Sequence, residues 1–424
     1  MALDPQLLEI LACPDDKGPL LYFTDEDSLY NPRLQRRYAI KDDIPIMLVD
    51  EAETVVEAEH DRLLAKAEAQ NIRPTFEVYV LMSGDLLDSV GMFDLAAALP
   101  DQVAEAAELA AGVTGLPDRQ TVQNVVVLGM GGSGIAGDVL RAIAGPFLSV
   151  PVTVVKGHEI PAFVGPGTLC FAISYSGATE ETLAAARAAA EVGAHMVVLS
   201  RGGALAALAV EWDAPAIALP DIPMPRAGIG AVSIPPLMVL EQMGLFPGAT
   251  QQVAEAVAQL ARRRDELIRD GGLAQQIARE IGRTIPVAYG GDALGAVAAY
   301  RFKCQVNENA KAPAFAASLP ELCHNEICGW GQHGDVTRQI MTVVRFRHDF
   351  EHPQVARRFD RTFDIIDEVV HAVVDINARG EGALAQLFDL IVQADLVSLH
   401  MAAAAGVDPG PIPVLVDLKA ALAP

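Results

Sequence analysis

Basic residues are scarce: 31 Lys and Arg stand against 55 Asp and Glu in 424 residues, a formal net charge of −24. That balance argues against a polyanionic nucleic acid or an anionic membrane surface as the main partner. A small anionic ligand would need locally placed donors that outweigh the global field. Cysteine is sparse and odd in number, at Cys13, Cys170, Cys304, Cys323 and Cys328, which argues against a disulfide framework. No stretch reaches the ~18 unbroken apolar residues of a membrane span. The most apolar candidate, residues 160–175, is interrupted by Pro161, Gly165, Pro166 and Gly167. The start, MALDPQLLEILACPDDKG, carries acids where a signal peptide has its basic region. A soluble, cytoplasmic protein is expected.

Hydrophobic residues make up 51% and charged ones 20%, enough to bury large cores. The length suits roughly two to four domains. Residues 1–55 read as a small unit: an amphipathic helix LDPQLLEIL, a turn-rich CPDDKGPL, and strands LLYF and IPIML. Residues 51–75 are rich in Glu and Ala and look like a helical connector. From Asn124 apolar strands alternate with longer helices: NVVVLG, VPVTVV, LCFAIS, MVVLS and APAIAL, the last ending at residue 219. A second set runs from IPVAYGGDALGAVAAYRFKCQV (285–306) through IMTVVRFR and HAVVDIN to a closing helix at 383–405. Such alternation predicts parallel βαβ units of right-handed sense. Because both sets open with strand, glycine turn and helix, two related α/β halves are expected, with a ligand cleft outside the strand carboxyl ends.

Three stretches carry chemistry. GMGGSGIAGD, residues 129–138, follows a strand and opens a helix, so its glycines let the backbone approach an anion and the helix start offers free N–H groups. Gly129, Gly131 and Gly134 also meet the GxGxxG spacing loosely, but Lys156 stands where a ribose-binding acid would be wanted. ISYSGATEETL, residues 173–183, sets the hydroxyls of Ser174, Tyr175, Ser176 and Thr179 at a strand-to-helix turn that Gly177 makes tight. Alone, that stretch is explained by N-capping. Beside the glycine turn it reads as a cradle for a phosphate monoester. QVNENAKAPAF (305–315) and LPELCHNEICGW (319–330) gather Glu308, Glu321 and Glu326 about His324. A carboxylate and an imidazole are the minimal set for moving a proton and opening a sugar ring, although a polar loop without chemistry reads the same. Cys323, His324, Cys328 and His333 lie close in sequence but match no zinc spacing and contain no CxxC pair. Arg226, in MPRAGIG, and Lys419, in VLVDLKAAL, are isolated cations that a solvated surface would equally explain.

Taken in order, GMGGSGIAGD, SYSGATEETL, PRAGIG, NENAKAPAF, PELCHNEICGW and GVDPGPIPVLVDLK resemble the bifunctional phosphoglucose/phosphomannose isomerases, built from two sugar isomerase (SIS) domains. LDSVGMFDLAAALPDQ, residues 87–102, is similar to that family's first helix. The resemblance implies an α/β fold of two SIS-type doubly wound parallel-sheet subdomains, plus a small α+β amino-terminal domain. It implies interconversion of glucose 6-phosphate, and mannose 6-phosphate, with fructose 6-phosphate through a cis-enediol, with no metal and no redox cofactor. By that resemblance Gly132, Ser133, Ser174, Ser176 and Thr179 hold the sugar phosphate. Glu308 is the base that moves the proton between C1 and C2, and Arg226 stabilises the enediolate. His324 opens the pyranose ring from across a homodimer interface, and Lys419 assists ring opening or oxygen contacts. Two departures, Ala316-Ala317 and the hydroxyl-free residues 410–413, bear on the mannose activity. The alternative is a catalytically silent phosphosugar sensor or scaffold. Retention of Glu308, His324, Arg226 and Lys419 together argues against it.

The first 55 residues resemble the Trm112-like (UPF0434) domain through LLEILACPDDKGPLLY and YAIKDDIPIMLVDEA. Zinc-binding members carry two CxxC pairs. Here Cys13 stands with Asp16, Asn31 and Leu34 near the partner positions, so no structural zinc is expected, and the domain is read as a docking or stabilising module. The expected division is 1–55, a connector over 56–75, a first SIS subdomain over 76–255 and a second over 256–424.

Overall fold

The computed structural model describes residues 3, 8, 11–15, 19–41, 44–70, 72, 74–75, 87–269 and 271–422. The chain forms two compact units, Met1–Asp85 and Leu86–Pro424. In the smaller, β1 (Leu21–Phe23), β2 (Ser28–Asn31), β3 (Arg36–Lys41) and β4 (Ile44–Pro45) follow one another antiparallel, and β5 (Glu53–Thr54) pairs with β3. LLYF and IPIML thus appear as β1 and β4. β2 and β3 escape apolar-pattern reading because Ser28, Asn31, Arg36, Arg37 and Lys41 dilute the alternation. β5 lies inside the stretch read as helical connector, so the helix begins only at Glu57 (Glu57–Ala69). The predicted helix LDPQLLEIL falls largely outside the described residues, as does Asp16. Cys13 is buried, with its Sγ 3.2 Å from the Tyr38 hydroxyl. Asn31 Oδ1 accepts from the backbone N–H of Arg33 (2.9 Å) and Leu34 (3.3 Å). Cys13 and Asn31 thus make core and turn bonds within the unit.

In the larger unit, β6 (Asn124–Leu128), β7 (Val152–Val155), β8 (Thr168–Ile173), β9 (His195–Ser200) and β10 (Ala216–Ala218) form a parallel sheet of order β10-β9-β8-β6-β7. Its strands are apolar on both faces, as covered parallel strands must be. Val125, Val127, Leu169, Phe171, Val197 and Leu199 face the central core. Val126, Leu128, Cys170, Ala172 and Val198 face helices Glu180–Glu191 and Gly203–Glu211. A second parallel sheet, β12-β11-β13-β14, comprises β11 (Ile285–Gly291), β12 (Phe315–Leu319), β13 (Met341–Arg347) and β14 (Ala372–Asn377). Its inner face sends Ala288, Val344, Phe346 and Ile376 into the same central core. Its outer face packs on helix Pro353–Ile366. Two separate doubly wound sheets are therefore observed. β12 was not legible in the sequence, because FAASL is short and prolines flank it at 313 and 320.

Helix Ala383–Ala404 runs through this central core. It is long and apolar enough to cross a membrane, a stronger candidate than residues 160–175, but 89% of its apolar window is buried inside the unit. Two aspartates in that apolar helix have built-in partners. Asp389 accepts from Arg263 Nε at 2.9 Å, and Asp395 accepts from Arg301 Nε at 2.9 Å and Arg301 Nη2 at 2.6 Å. Arg301, on helix Asp292–Gln305, is 1% exposed and Asp395 5%. Burial pushes the Asp395 carboxyl above the ordinary aspartate range, and the Arg301 guanidinium opposes that shift.

Removing one member of a buried ion pair strands the other charge. Arg301→Met is expected to destabilise the larger unit by about 3–5 kcal/mol, read as a lowered urea midpoint. The double variant Arg301→Met/Asp395→Leu is expected to recover much of that loss.

Candidate active site

The first sheet reverses its strand order between β6 and β8, which run side by side while their following helices lead to opposite edges. The carboxyl ends of two such strands frame the natural crevice of a doubly wound fold. After β6 the chain turns through Gly129 and Met130 into helix Gly131–Ile143, with Gly131 at φ 52°. A Cβ on Gly129 would lie 2.9 Å from the Ser133 carbonyl, so the tight turn admits no side chain there. After β8, Ser174 is buried and its Oγ lies 2.9 Å from Thr179 Oγ1. Thr179 occupies the N-cap position of helix Glu180–Glu191, yet makes no capping hydrogen bond. Thr179 is therefore not spent on capping, whereas Ser176 Oγ accepts from the Ala178 N–H at 3.3 Å in an ordinary turn bond. Met130 provides no cap either, so two helix starts at adjacent strand ends keep their N–H groups free of side-chain caps. Ser133 is buried at this turn, Gly132 half-buried and Ser176 exposed.

Tyr175 belongs to a different task. Its ring turns away and its hydroxyl bonds the Pro220 carbonyl while accepting from the Ile222 N–H at 2.8 Å. That fixes the loop leading to the short turn Pro225–Ala227, which carries Arg226. Arg226 sits beside the glycine turn, its Cα 3.9 Å from where a Cβ on Gly132 would be. The guanidinium is 6% exposed and almost fully committed. Nε donates to Asn309 Oδ1 at 2.8 Å, and Nη2 donates to the carbonyls of Pro409 and, at 2.8 Å, Gly410. Nη1 donates no hydrogen bond among the described residues and stands 4.0 Å from Glu308 Oε2. Burial pulls Arg226 below the ordinary arginine value, and the Glu308 charge works against that pull.

Glu308 and Asn309 lie in a π-helical turn, Val306–Ala310, that extends helix Asp292–Gln305. Asn309 Nδ2 donates to Ser398 Oγ at 2.9 Å, and Ser398 donates to the Asp395 carbonyl at 2.6 Å. Arg301 Nη2 donates to the Arg226 carbonyl at 3.0 Å. Asn309, Ser398, Asp395 and Arg301 therefore set the position of Arg226 and Glu308 from the core. Pattern reading missed all four. The available signal was a charge inside each of two apolar helices.

The other two carboxylates near His324 have structural partners: Glu321 accepts from Asn325 Nδ2 (2.9 Å) and Glu326 from the Tyr289 hydroxyl (2.5 Å). Cys323 Sγ contacts Thr362 Oγ1 at 3.5 Å.

Comparison with known proteins shows the family. The profile of the bacterial phospho-glucose isomerase C-terminal SIS domain matches residues 271–422, and that of the SIS domain residues 120–211. A bifunctional phosphoglucose/phosphomannose isomerase from Caldicellulosiruptor bescii is 34% identical over 336 residues, covering 78% of this chain and 99% of the relative. The chain belongs to the bifunctional phosphoglucose/phosphomannose isomerase family. The fold of tagatose-6-phosphate ketose/aldose isomerase from Escherichia coli is similar at a TM-score of 0.57 and 15% identity, over 75% of this chain and 95% of that one. The Trm112p-like profile matches residues 4–43, and a UPF0434 protein from Gluconobacter oxydans is 47% identical over 53 residues, 12% of this chain and 90% of the relative.

Within this isomerase fold, one chain brings Gly132, Arg226 and Glu308 together and sets Ser133, Ser174 and Thr179 around the same strand ends. Ser176 is exposed on the same hydroxyl turn, and His324 and Lys419 make no bond to these residues among the described ones. His324 is exposed on the turn Glu321–His324, its ring without a hydrogen bond or ion pair to the described residues. Lys419 is exposed on helix Pro413–Leu422, in which no residue is buried.

The hydroxyl turn depends on Gly177, which has φ 66° and whose Cβ would fall 1.7 Å from the Gly202 carbonyl oxygen. Gly177→Ala is expected to cost at least about 2 kcal/mol through left-handed strain and collision. Gly112→Ala, with nothing within 4 Å, is expected to leave the thermal midpoint unchanged or raised.

Proposed function

We infer that this chain interconverts glucose 6-phosphate, and mannose 6-phosphate, with fructose 6-phosphate by proton transfer through a cis-enediol. Beyond family membership, one observation carries the mechanism: a buried arginine with three of its bonds fixed by the protein and one nitrogen left over, facing a carboxylate 4.0 Å away. The phosphate sits at the free helix starts of Gly131–Ile143 and Glu180–Glu191, held by backbone N–H groups and by Gly132, Ser133, Ser174, Ser176 and Thr179. The reacting carbons then lie between Glu308 and Arg226. Glu308 takes the proton from C2 of the aldose and returns it to C1. As the proton leaves, negative charge grows on the sugar oxygen, and Nη1 of Arg226 donates to it without reorganising. Glucose and mannose 6-phosphates differ only at C2 and share one enediol, so a single base serves both.

His324 opens the ring in the partner's site of a homodimer, with Lys419 near the sugar oxygens. The exposure of His324 supports this, as does helix Pro413–Leu422, which leaves Val414 76%, Leu418 54% and Leu422 70% exposed on one side. Such an apolar face on a single chain suits a second copy.

Replacing Glu308 by Gln is expected to lower turnover about 100- to 10,000-fold, while glucose 6-phosphate still raises the melting temperature. Wild-type turnover would refute Glu308 as the base. A 1:1 mixture of inactive Glu308→Gln and His324→Ala chains, refolded together, is expected to regain about a quarter of wild-type activity, because half the dimers acquire one intact site. No recovery, with dimers present by sedimentation, would place His324 in its own chain's site.

A further inference from the structure

Lys311 follows the Glu308 turn and has no part in the chemistry above. It sits at φ 54°, in the left-handed region, where the π-helical turn ends. Its ammonium folds back onto backbone carbonyls: Glu308 at 2.7 Å, Asp408 at 2.9 Å, Pro409 at 3.0 Å and Asn309 at 3.3 Å. No carboxylate bonds it among the described residues. Carbonyls at a helix end lack intrahelical partners and concentrate negative dipole, and an ammonium has three protons with which to answer them. Two of the four carbonyls belong to the turn that bears Glu308 and Asn309. The other two belong to the 408–410 loop, whose Pro409 and Gly410 carbonyls also take Arg226 Nη2. One cation therefore ties the base-bearing turn to the loop that grips the arginine. Burial and the nearby Arg226 charge pull Lys311 below the ordinary lysine range, so this placement works against the amine's charge and the carbonyls compensate. The residue as a whole remains exposed, which leaves the carbonyl cluster reachable from solvent.

We propose that Lys311 is a positioning residue whose ammonium fills a four-carbonyl cation cage, fixing the Glu308 turn against Arg226, and that the emptied cage accepts a free ammonium ion. The proposal rests on the reading of Glu308 as the base. It is distinct from substrate binding, since the four bonds of Lys311 are all made to the protein itself.

Lys311→Gly is the informative variant, because glycine adopts the left-handed conformation without strain and leaves the cage empty. Its kcat for fructose 6-phosphate is expected to fall about 10- to 100-fold, the scale of a misplaced catalytic group, with KM within about two-fold of wild type. Ammonium chloride is expected to restore most of that loss in a saturable manner, while tetramethylammonium chloride at equal ionic strength, too large for the cage, restores none. Lys311→Met keeps the stem but not the charge. It is expected to lose kcat similarly and to resist rescue, because its own terminus blocks the cage. Wild-type kcat in either variant, a loss confined to KM, or failure of ammonium to restore Lys311→Gly would overturn the cage. Glu308→Gln assayed alongside separates the two ideas. If it is inactive while Lys311→Gly is normal, only the brace fails; if it is fully active, the assignment of the base fails.

Discussion

The buried pair between Arg301 and Asp395 is the constraint on which the site depends. A carboxylate on a long, apolar, buried helix can stay there only with its charge and lone pairs answered, and Arg301 answers both oxygens. The pair locks helix Asp292–Gln305 to helix Ala383–Ala404, and the surplus donor of Arg301 then holds the Arg226 carbonyl. The same stretch of the central helix presents Ser398 to Asn309, which in turn orients the Arg226 guanidinium. Two helices that fill the core also aim the arginine and the glutamate. A buried ion pair contributes little to net stability compared with apolar packing, so its value here lies in the geometry it fixes.

The two sheets resemble each other in construction but not at their switch points. In the first, helices begin after β6 and β8 without side-chain caps, leaving N–H groups for a ligand. In the second, the corresponding turn after β11 is filled by the protein. His348 Nε2 lies 3.0 Å from the Gly291 carbonyl, and a Cβ on Gly291 would meet Phe359 at 2.7 Å and Val355 at 2.9 Å. The second half thus offers no second anion cradle, and Glu308, the proposed base, lies at the far end of its first helix.

Much of this was legible in the sequence, for reasons that can be stated residue by residue. Strands such as NVVVL and TVVRF are continuous apolar runs because helices cover both faces, and their glycine turns announce parallel βαβ order. Ser174, Thr179, Arg226 and Glu308 stood out through motifs that resemble the isomerase family, since capping, a solvated surface or a polar loop would explain each of them alone. Tyr175 did not separate itself from its neighbouring hydroxyls, since only the fold shows its ring holding the 220–222 segment. Arg301, Asp395 and Ser398 were invisible for the opposite reason: they lie within helices whose apolar pattern absorbs them, and their pairing spans about ninety residues. Lys311 lay inside NENAKAPAF without a reading of its own. Its partners are backbone atoms, which no side-chain pattern records.

The net charge of −24 sharpens the question of how a sugar phosphate is held at all. The lysine nearest the glycine turn, Lys156, whose Cε would lie 3.1 Å from a Cβ on Gly134, is already paired with Asp138. Arg226 and Lys311 are taken up by carbonyls and by Asn309. What remains for the phosphate in the proposed site is neutral: backbone N–H groups, the two helix starts and hydroxyls. Such a cradle binds through directed hydrogen bonds of fixed dipoles rather than a surplus of cations. It discriminates the tetrahedral monoester by geometry, while the negative field of the whole molecule favours release of a dianionic product. For a freely reversible isomerisation, in which substrate and product carry the same phosphate, that balance keeps binding from exceeding what turnover allows. In that proposed site the uncommitted cationic nitrogen is Nη1 of Arg226, and the proposal reserves it for the charge that exists only in the transition state.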